Sequence, residues 1–172
     1  MKLFIASDIH GSAYYCRRMI EKYKESGAEK LVLLGDILYH GPRNDLPCEY
    51  APKAVIEMLN ALSDEIIAVR GNCDTEVDQM VLAFPVLQER GLIADGDRRI
   101  YLIHGHKDLD SLSDMLSEKD VLFYGHTHVP ADRLGKKGCR ILNPGSVSIP
   151  KENSDPGYMI WTDGEIVRGA ID

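Results

Sequence analysis

The sequence lacks paired cysteine motifs, long apolar runs and a signal peptide. None of its cysteines, Cys16, Cys48, Cys73 and Cys139, occurs in a CxxC spacing. No stretch approaches the roughly 18 consecutive apolar residues of a membrane-spanning helix. The apolar run at the N-terminus ends at Asp8, which is too early for a signal peptide, and no small-residue cleavage site follows it. We therefore expect free thiols and a cytoplasmic protein.

Positive charge is also scarce, and this limits the classes of partner. The chain has 20 lysines and arginines against 27 acidic residues, which gives a net charge of −7. A general nucleic-acid binder or a protein of anionic membrane surfaces needs a basic surface, so neither is expected. No low-complexity segment, internal repeat or linker divides the sequence. With 172 residues, of which 44% are hydrophobic, residues 1–172 are predicted to form a single domain with a core of its own.

The spacing of apolar residues predicts a βαβαβ first half and a second half richer in antiparallel strands. The first two strands should be parallel neighbours because a short helical crossover joins them. Strands are predicted at 2–7, 30–34, 65–69, 92–94, 98–103 and 121–124, and helices at 12–26, 51–62, 75–82 and 108–117. Hairpin turns are predicted at Asp95-Gly96, Gly135–Gly138 and Asp163-Gly164. This order predicts an α/β fold, a four-layer α/β/β/α sandwich of two mixed β-sheets flanked by helices.

All six histidines lie in short loop motifs, most of which follow a strand-like run. The motifs are DIHG (8–11), GD (35–36) with His40 beyond it, GNCD (71–74), HGH (104–106) and GHTH (125–128). Open α/β sheets build their sites where strands end. Any one motif is weak, since D-x-H occurs often by chance and a single histidine is ordinarily structural. Together, nitrogen and oxygen ligands on five loops indicate a metal centre, and their number indicates two metals.

In this order the motifs resemble the signature of the calcineurin-like metallophosphoesterases, and the segment Asn143–Ser146 (NPGS) matches as well. The resemblance spans about residues 1–150. The short length, GPRN at 41–44 and GNCD are similar to the small bacterial and archaeal YfcE-like phosphodiesterases. The resemblance implies two metal ions with Asp36 as the bridging ligand. One ion would be held by Asp8, His10, Asp36 and His128, and the other by Asp36, Asn72, His104 and His126.

A two-metal site implies a mechanism. Cations about 3.5–4 Å apart lower the pKa of a bridging water and hold the phosphate oxygens for in-line attack by the resulting hydroxide. Oxygen and nitrogen ligands without thiolate suit Mn²⁺, Fe²⁺, Ni²⁺ or Zn²⁺, and the resemblance favours Mn²⁺. We therefore expect a metal-dependent phosphodiesterase acting on a small phosphodiester. One alternative is a phosphomonoesterase acting on a small metabolite. The other is a non-catalytic scaffold, a role that this fold has in the retromer coat. All seven ligands are present, which favours an enzyme, and the sequence is compatible with a homo-oligomer.

Four further residues are candidates for contact with the substrate or leaving group. Much of the superfamily has histidine where this chain has Cys73, so the proton donor to the leaving group is either weaker here or is another residue. The predicted catalytic residues are Asp36, Asn72, Cys73 and His104. Cys73 as a covalent nucleophile is disfavoured because no Cys-x5-Arg loop follows it, and a small semi-buried residue is the alternative. Arg43, in the long loop 35–50, and His40 are candidate substrate-binding residues. His106 could bind substrate, orient a metal ligand or be solvated.

Overall fold

The computed structural model describes all 172 residues, which form ten β-strands and four α-helices. The strands are β1 (Lys2–Ala6), β2 (Lys30–Leu33), β3 (Ile66–Ala68), β4 (Gly91–Asp95), β5 (Arg98–Leu102), β6 (Asp120–Phe123), β7 (Ala131–Leu134), β8 (Arg140–Asn143), β9 (Gly157–Thr162) and β10 (Glu165–Ala170). The helices are α1 (Ala13–Ser26), α2 (Pro52–Asn60), α3 (Glu76–Val81) and α4 (Leu109–Ser113), with one 3-10 turn at Ser63–Glu65.

The first sheet has the strand order β10-β9-β1-β2-β3. β1, β2 and β3 run parallel, and β9 and β10 complete the sheet in antiparallel pairing. The predicted parallel pairing of the first two strands is confirmed. The crossover helix α1 begins where the Ser12 hydroxyl accepts the Tyr15 N–H at 3.3 Å, and it ends at Gly27, whose φ of 66° is left-handed.

The second sheet has the order β4-β5-β6-β8-β7, in which β5, β6 and β8 run parallel and the two edge strands are antiparallel. A buried apolar layer lies between the two sheets, and one further apolar layer lies between each sheet and its helices. The predicted α/β/β/α sandwich is therefore confirmed. The layer between the sheets consists of Leu3, Ile5, Val32, Leu34, Val69, Ile100, Leu102, Val121, Phe123, Leu142, Met159 and Trp161.

Two predicted hairpins form where the sequence placed them. Asp163 and Gly164 connect β9 to β10 with φ values of 50° and 98°, the positive pair that a type I′ turn requires. The segment Gly135–Gly138 lies in the turn between β7 and β8, where the Gly135 N–H donates to the Cys139 carbonyl at 2.8 Å. The four cysteines are free, as expected, and no helix is long and apolar enough to cross a membrane.

One predicted turn is displaced by a residue. Asp95 pairs with Arg98 across β4 and β5, so the turn residues are Gly96 and Asp97 rather than Asp95 and Gly96. The Asp95 carboxylate accepts the indole N–H of the buried Trp161 at 2.7 Å. This contact with the neighbouring sheet keeps Asp95 within the strand.

The predicted helix 108–117 is too long, because α4 ends at Ser113. Further along, Ser117 donates from its N–H and its hydroxyl to the buried Asp120 carboxylate at 2.8 and 3.0 Å. Ser117 also pairs with Gly138 in an isolated bridge. These contacts draw the segment toward β6, so the apolar spacing that continues past Ser113 does not extend the helix.

Candidate metal centre

The loops that leave five parallel strands bring the predicted metal ligands into one cluster. The residues and the strands they follow are Asp8 and His10 (β1), Asp36 (β2), Asn72 (β3), His104 (β5), and His126 and His128 (β6). Side-chain atoms that can bind a metal form three sets within 4.8 Å of one another, namely Asp8–His10–His128, Asp36–His104–His126 and a third, His10–Asp36–Cys73, that adds Cys73. Asn72 is exposed and His126 is half-buried, whereas the other five are buried. The cluster is therefore open to solvent from the side of Asn72 and His126.

His10 and His128 direct their Nε2 atoms toward the buried Asp8 carboxylate. Each Nδ1 lies 2.7 Å from a backbone carbonyl, Tyr39 O for His10 and Ile149 O for His128, so each Nδ1 carries the hydrogen and donates it. The two Nε2 atoms face each other at 3.1 Å. Asp8 Oδ1 lies 3.6 and 3.3 Å from them and has no hydrogen-bond partner. Two lone pairs and an unsatisfied carboxylate oxygen around one point fit a bound cation.

His104 is fixed in the same way on the other side of Asp36. Its Nδ1 donates to the Leu34 carbonyl at 2.7 Å, and its Nε2 lies 3.0 Å from Asn72 Oδ1 and 3.4 Å from Asp36 Oδ2. The same Asp36 oxygen lies 3.8 Å from His10 Nε2. Asp36 Oδ2 is thus between the two groups of ligands, which is the position that a bridging carboxylate occupies.

The charges in the cluster couple metal binding to proton release. Burial lowers the pKa of His104, but the hydrogen bond and charge of Asp36 and the charge of Asp8 outweigh burial and raise that pKa to about 9. Burial would raise the pKa of Asp8, yet the adjacent His10 and His128 rings lower it well below the usual range. Divalent metals bind imidazole only in its deprotonated form. The donor groups present are imidazoles, carboxylates and one amide, and this combination fits a divalent transition metal.

The backbone of the cluster is strained. Left-handed φ values are uncommon for residues other than glycine and cost about 1–3 kcal/mol each. Five of the seven predicted ligands adopt them, namely Asp8 (59°), His10 (50°), Asp36 (55°), His126 (64°) and His128 (60°). Such strain persists only where surrounding contacts enforce it.

Two glycines allow the loops to approach one another. A Cβ atom at Gly71 would overlap the Asp36 carboxylate, and one at Gly125 would overlap the Ser7 hydroxyl. Gly71 precedes Asn72 and Gly125 precedes His126. The glycines of GNCD and GHTH are therefore required by close packing beside the ligands.

Asp74 has a positioning role that its place in the sequence did not indicate. Asp and Thr both commonly begin helices, and of Asp74 and Thr75 it is Thr75 that is the N-cap of α3. The buried Asp74 carboxylate instead accepts three backbone N–H groups: Asp36 at 2.8 Å and Gly71 at 2.7 Å through Oδ2, and Ile37 at 2.9 Å through Oδ1. It ties the loop that carries Asp36 to the loop that carries Asn72. Its adjacency to a helix start concealed this role.

A cavity of about 400 Å³ opens over the cluster. Arg43 lines it, as predicted for a substrate-binding residue. Asn44, Thr127 and Lys151 also line it and were not predicted. Lys151 had no signal in the sequence, because it lies far from the histidine motifs and enters the cavity through a loop that follows β8.

His40 and His106 do not line this cavity. The His40 ring packs edge-on against Tyr39 and Tyr50, with centroids 4.8 and 5.1 Å away. His106 lines a neighbouring cavity of about 360 Å³, and its ring lies 5.4 Å from that of His104. The His106 ring therefore lies next to the ligand cluster, whereas the His40 ring contacts the two tyrosines.

Cys73 lies beside the Asp36 carboxylate. Its N–H donates to Asp36 Oδ1 at 2.8 Å, and its Sγ accepts from Asn72 Nδ2 at 3.3 Å. Burial and, after it, the negative charge of Asp36 raise the pKa of the Cys73 thiol to about 12. The thiol is protonated at neutral pH, which agrees with the expectation that Cys73 is not a nucleophile.

The three hydrogen bonds of Asp74 predict the effect of replacing it. In Asp74→Asn one oxygen becomes an NH₂ group, which faces a backbone N–H donor instead of accepting from it. We expect the metal-free protein to lose about 1–3 kcal/mol of unfolding free energy. We also expect metal affinity to fall about tenfold or more, because Asp36 is no longer held in place. Chemical denaturation and calorimetric metal titration measure the two effects separately.

Asp120→Asn is the matched control. Asp120 is a buried carboxylate that also accepts a backbone N–H, but it binds Ser117 and Arg99 away from the cluster. It should lose stability and keep its metal affinity. If Asp74→Asn behaves like Asp120→Asn, Asp74 has no role in positioning the ligands.

Comparison with known proteins agrees with this geometry. Residues 1–164 match the model of the calcineurin-like phosphoesterase superfamily domain. The chain is 49% identical over 159 residues to phosphodiesterase YfcE of Escherichia coli strain K12, an alignment that covers 92% of this chain and 85% of that protein.

Solved structures give the same result. The structure of the Escherichia coli phosphoesterase YfcE superimposes with a TM-score of 0.89 and 43% identity, covering all of both chains. An archaeal phosphodiesterase shares the fold with a TM-score of 0.70 at 23% identity over 98% of each chain. The resemblance inferred from the five motifs is confirmed: the chain belongs to the calcineurin-like phosphoesterase superfamily.

Proposed function

We propose that this chain is a metal-dependent phosphodiesterase that hydrolyses a small phosphodiester by in-line attack of a water held between two divalent ions. The observation that carries the proposal is the cluster of seven ligand residues in which Asp36 Oδ2 lies between His10 and His104. The similarity to phosphodiesterase YfcE over most of both chains supports the same reaction. Membership in a metallophosphoesterase family implies divalent metal ions.

The two ligand sets follow from the two sides of Asp36. Asp8, His10 and His128 would hold one ion and Asn72, His104 and His126 would hold the other, with Asp36 shared by both. Two of the close ligand sets, Asp8–His10–His128 and Asp36–His104–His126, correspond to these two sites. We propose Mn²⁺ as the working metal, with Ni²⁺, Fe²⁺ and Zn²⁺ as ions that the same ligands accept.

Bound divalent ions would lower the pKa of a water between them and neutralise the phosphate oxygens. The chain's own residues prepare the site for this. Asp36 is held through Oδ1 by the Cys73 N–H, which leaves Oδ2 free for the metals. The Asn72 side chain supplies a neutral oxygen beside His104, and His104 is fixed by the Leu34 carbonyl. Arg43, which lines the cavity over the cluster, and His106, which lines the neighbouring cavity, are proposed to contact the substrate.

Cys73 sets the leaving groups that this site can expel. A thiol with a pKa of about 12 is a poor general acid and carries no positive charge when protonated. The site should therefore favour good leaving groups unless another residue supplies the proton. His106 is our candidate for that donor, because its ring lies 5.4 Å from that of His104, whereas the His40 ring packs between Tyr39 and Tyr50.

The setting of the enzyme follows from composition. We propose a cytoplasmic enzyme that acts on a small soluble phosphodiester, without general nucleic-acid or membrane binding, because the chain carries a net charge of −7. Phosphomonoesterase activity is the second candidate, and the absence of a cationic imidazole at position 73 disfavours it for a dianionic substrate. The intact set of seven ligands favours catalysis over a scaffold role, and assembly into a homo-oligomer is compatible with either.

The ligand cluster predicts that saturated protein contains two transition-metal ions per chain and that chelation abolishes hydrolysis. The pKa of His104 of about 9 means that protons compete with metal at neutral pH. Metal affinity should therefore rise as the pH increases from 7 to 9. Elemental analysis, calorimetry and assays in EDTA test this. One ion or none at saturation, with activity intact in EDTA, would rule out the two-metal centre.

Asp36→Asn should damage turnover more than any other single ligand change, because a bridging carboxylate serves both ions. We expect a loss on the order of 10²-fold or more in kcat, the scale at which electrostatic stabilisation is lost at active sites. Metal content is measured alongside kcat for Asp36→Asn and His10→Ala. The bridging role is wrong if Asp36→Asn turns over nearly as fast as the wild type while His10→Ala does not.

Cys73→His should change how the rate depends on the leaving group. In the wild type, aryl phosphodiesters should be cleaved much faster than alkyl ones, because no good acid protonates a basic alkoxide. Imidazole can donate a proton near neutral pH, so Cys73→His should flatten the dependence of log kcat on leaving-group pKa. It should also raise phosphomonoesterase activity. Kinetics on a series of aryl and alkyl diesters, with metal content checked, measure the slope.

Cys73→Ser is the matched control, since it keeps the size of the side chain without adding an acid. Its slope should equal that of the wild type. If Cys73→His at full metal occupancy also leaves the slope unchanged, Cys73 does not face the leaving group.

A further inference from the structure

Two positively charged side chains line the cavity over the ligand cluster without an acidic partner. They are Arg43 and Lys151, and neither forms an ion pair or a side-chain hydrogen bond within the chain. Among the arginines only Arg133, on the edge strand β7, is equally unpartnered; the others bind acidic or carbonyl groups or lie over Trp161. In a chain with 27 acidic residues, two free cations at one cavity indicate an anion from outside the chain.

The two cations approach the cluster from different sides. The turn that carries Arg43 packs beside Cys73, since a Cβ at Gly41 would lie 3.4 Å from Cys73 Sγ. Lys151 lies beside His128, whose carbonyl accepts the Lys151 N–H at 3.1 Å. The cavity between these walls is wide enough, at about 400 Å³, for a group larger than one phosphate.

The scissile phosphate does not need these cations. Two divalent ions carry four positive charges, and the Asp8 and Asp36 carboxylates, the deprotonated attacking water and the diester together carry four negative ones. The centre with its substrate is therefore neutral. The charges of Arg43 and Lys151 remain in excess and are available to a second anionic group.

The lining of the cavity also limits the rest of the substrate. None of its twelve lining residues is leucine, isoleucine, valine, phenylalanine, tyrosine or tryptophan. A nucleobase or a fatty chain binds to apolar or aromatic surfaces. The uncharged polar residues Asn44 and Thr127 line the cavity instead.

From these observations we propose that Arg43 and Lys151 form a subsite for a second anionic group on the substrate. The substrate class is then a small phosphodiester whose alcohol part carries a phosphate or a carboxylate, rather than a nucleobase or a lipid. This inference rests on the proposed phosphodiesterase function, and it specifies which part of the substrate the cations contact.

Two aryl diesters with the same leaving group test the proposal. Ethyl 4-nitrophenyl phosphate carries no second anion, whereas 2-phosphoethyl 4-nitrophenyl phosphate carries one. With Mn²⁺-loaded protein we expect kcat/KM for the anionic diester to exceed that for the ethyl diester about tenfold or more, as charge-assisted contacts allow. Arg43→Gln and Lys151→Gln should each lower this ratio several-fold, and the double variant should bring it close to one. Arg133→Gln is the control and should keep the wild-type ratio.

Equal loss of both activities in the variants would place the cations at the scissile phosphate and overturn the subsite, as would a wild-type ratio of one. Calorimetry gives a readout without turnover: phosphoglycolate should bind the metal-loaded wild type about tenfold more tightly than methyl phosphate, and Lys151→Gln should remove the difference. Equal binding of the two ligands overturns the subsite even if neither diester is hydrolysed. Absence of hydrolysis with every divalent metal, together with the expected binding difference, would defeat the phosphodiesterase function and leave the anion subsite standing.

Discussion

The apolar contact between the two sheets is the interaction on which the candidate site depends. Asp8, Asp36 and Asn72 come from loops of the first sheet, whereas the histidines at 104, 126 and 128 come from the second. Neither sheet carries all of the predicted ligands, so the twelve buried residues between them align the two halves. Polar contacts then fix the alignment locally: Asp8 Oδ2 accepts the His126 N–H at 3.0 Å across the boundary between the sheets.

That alignment supports a backbone that would not be stable by itself. Left-handed residues at most of the ligand positions have a cost, and the core and the buried hydrogen bonds offset it. Asp74 is the clearest example, since one carboxylate holds three N–H groups around the strained Asp36. The result is a set of lone pairs already directed at common points before any ion arrives, so metal binding requires little rearrangement of the chain.

The sequence predicted the features that depend on local pattern. Strand-ending motifs with Gly, Asp, Asn and His identified the residues that the structure brings into one cluster, and the short crossover identified the parallel strands. Features that depend on distant contacts could not be predicted. Trp161 moves the turn after Asp95, and Asp120 draws the chain away from α4. Lys151 reaches the cavity only through the folding of the second sheet, and left-handed φ values at non-glycine residues have no signal in the sequence.

The anchoring of the two histidine rings has a consequence for the evolution of specificity. The carbonyls that orient His10 and His128 belong to Tyr39 and Ile149, in the same loops that carry Arg43 and Lys151 to the cavity. A mutation or insertion that moved either carbonyl would rotate a metal ligand as well as reshape the pocket. Substitutions of side chains other than Tyr39 and Ile149 can therefore change substrate preference without disturbing the candidate metal centre. Insertions or deletions in the loop segments next to these two residues would disturb it.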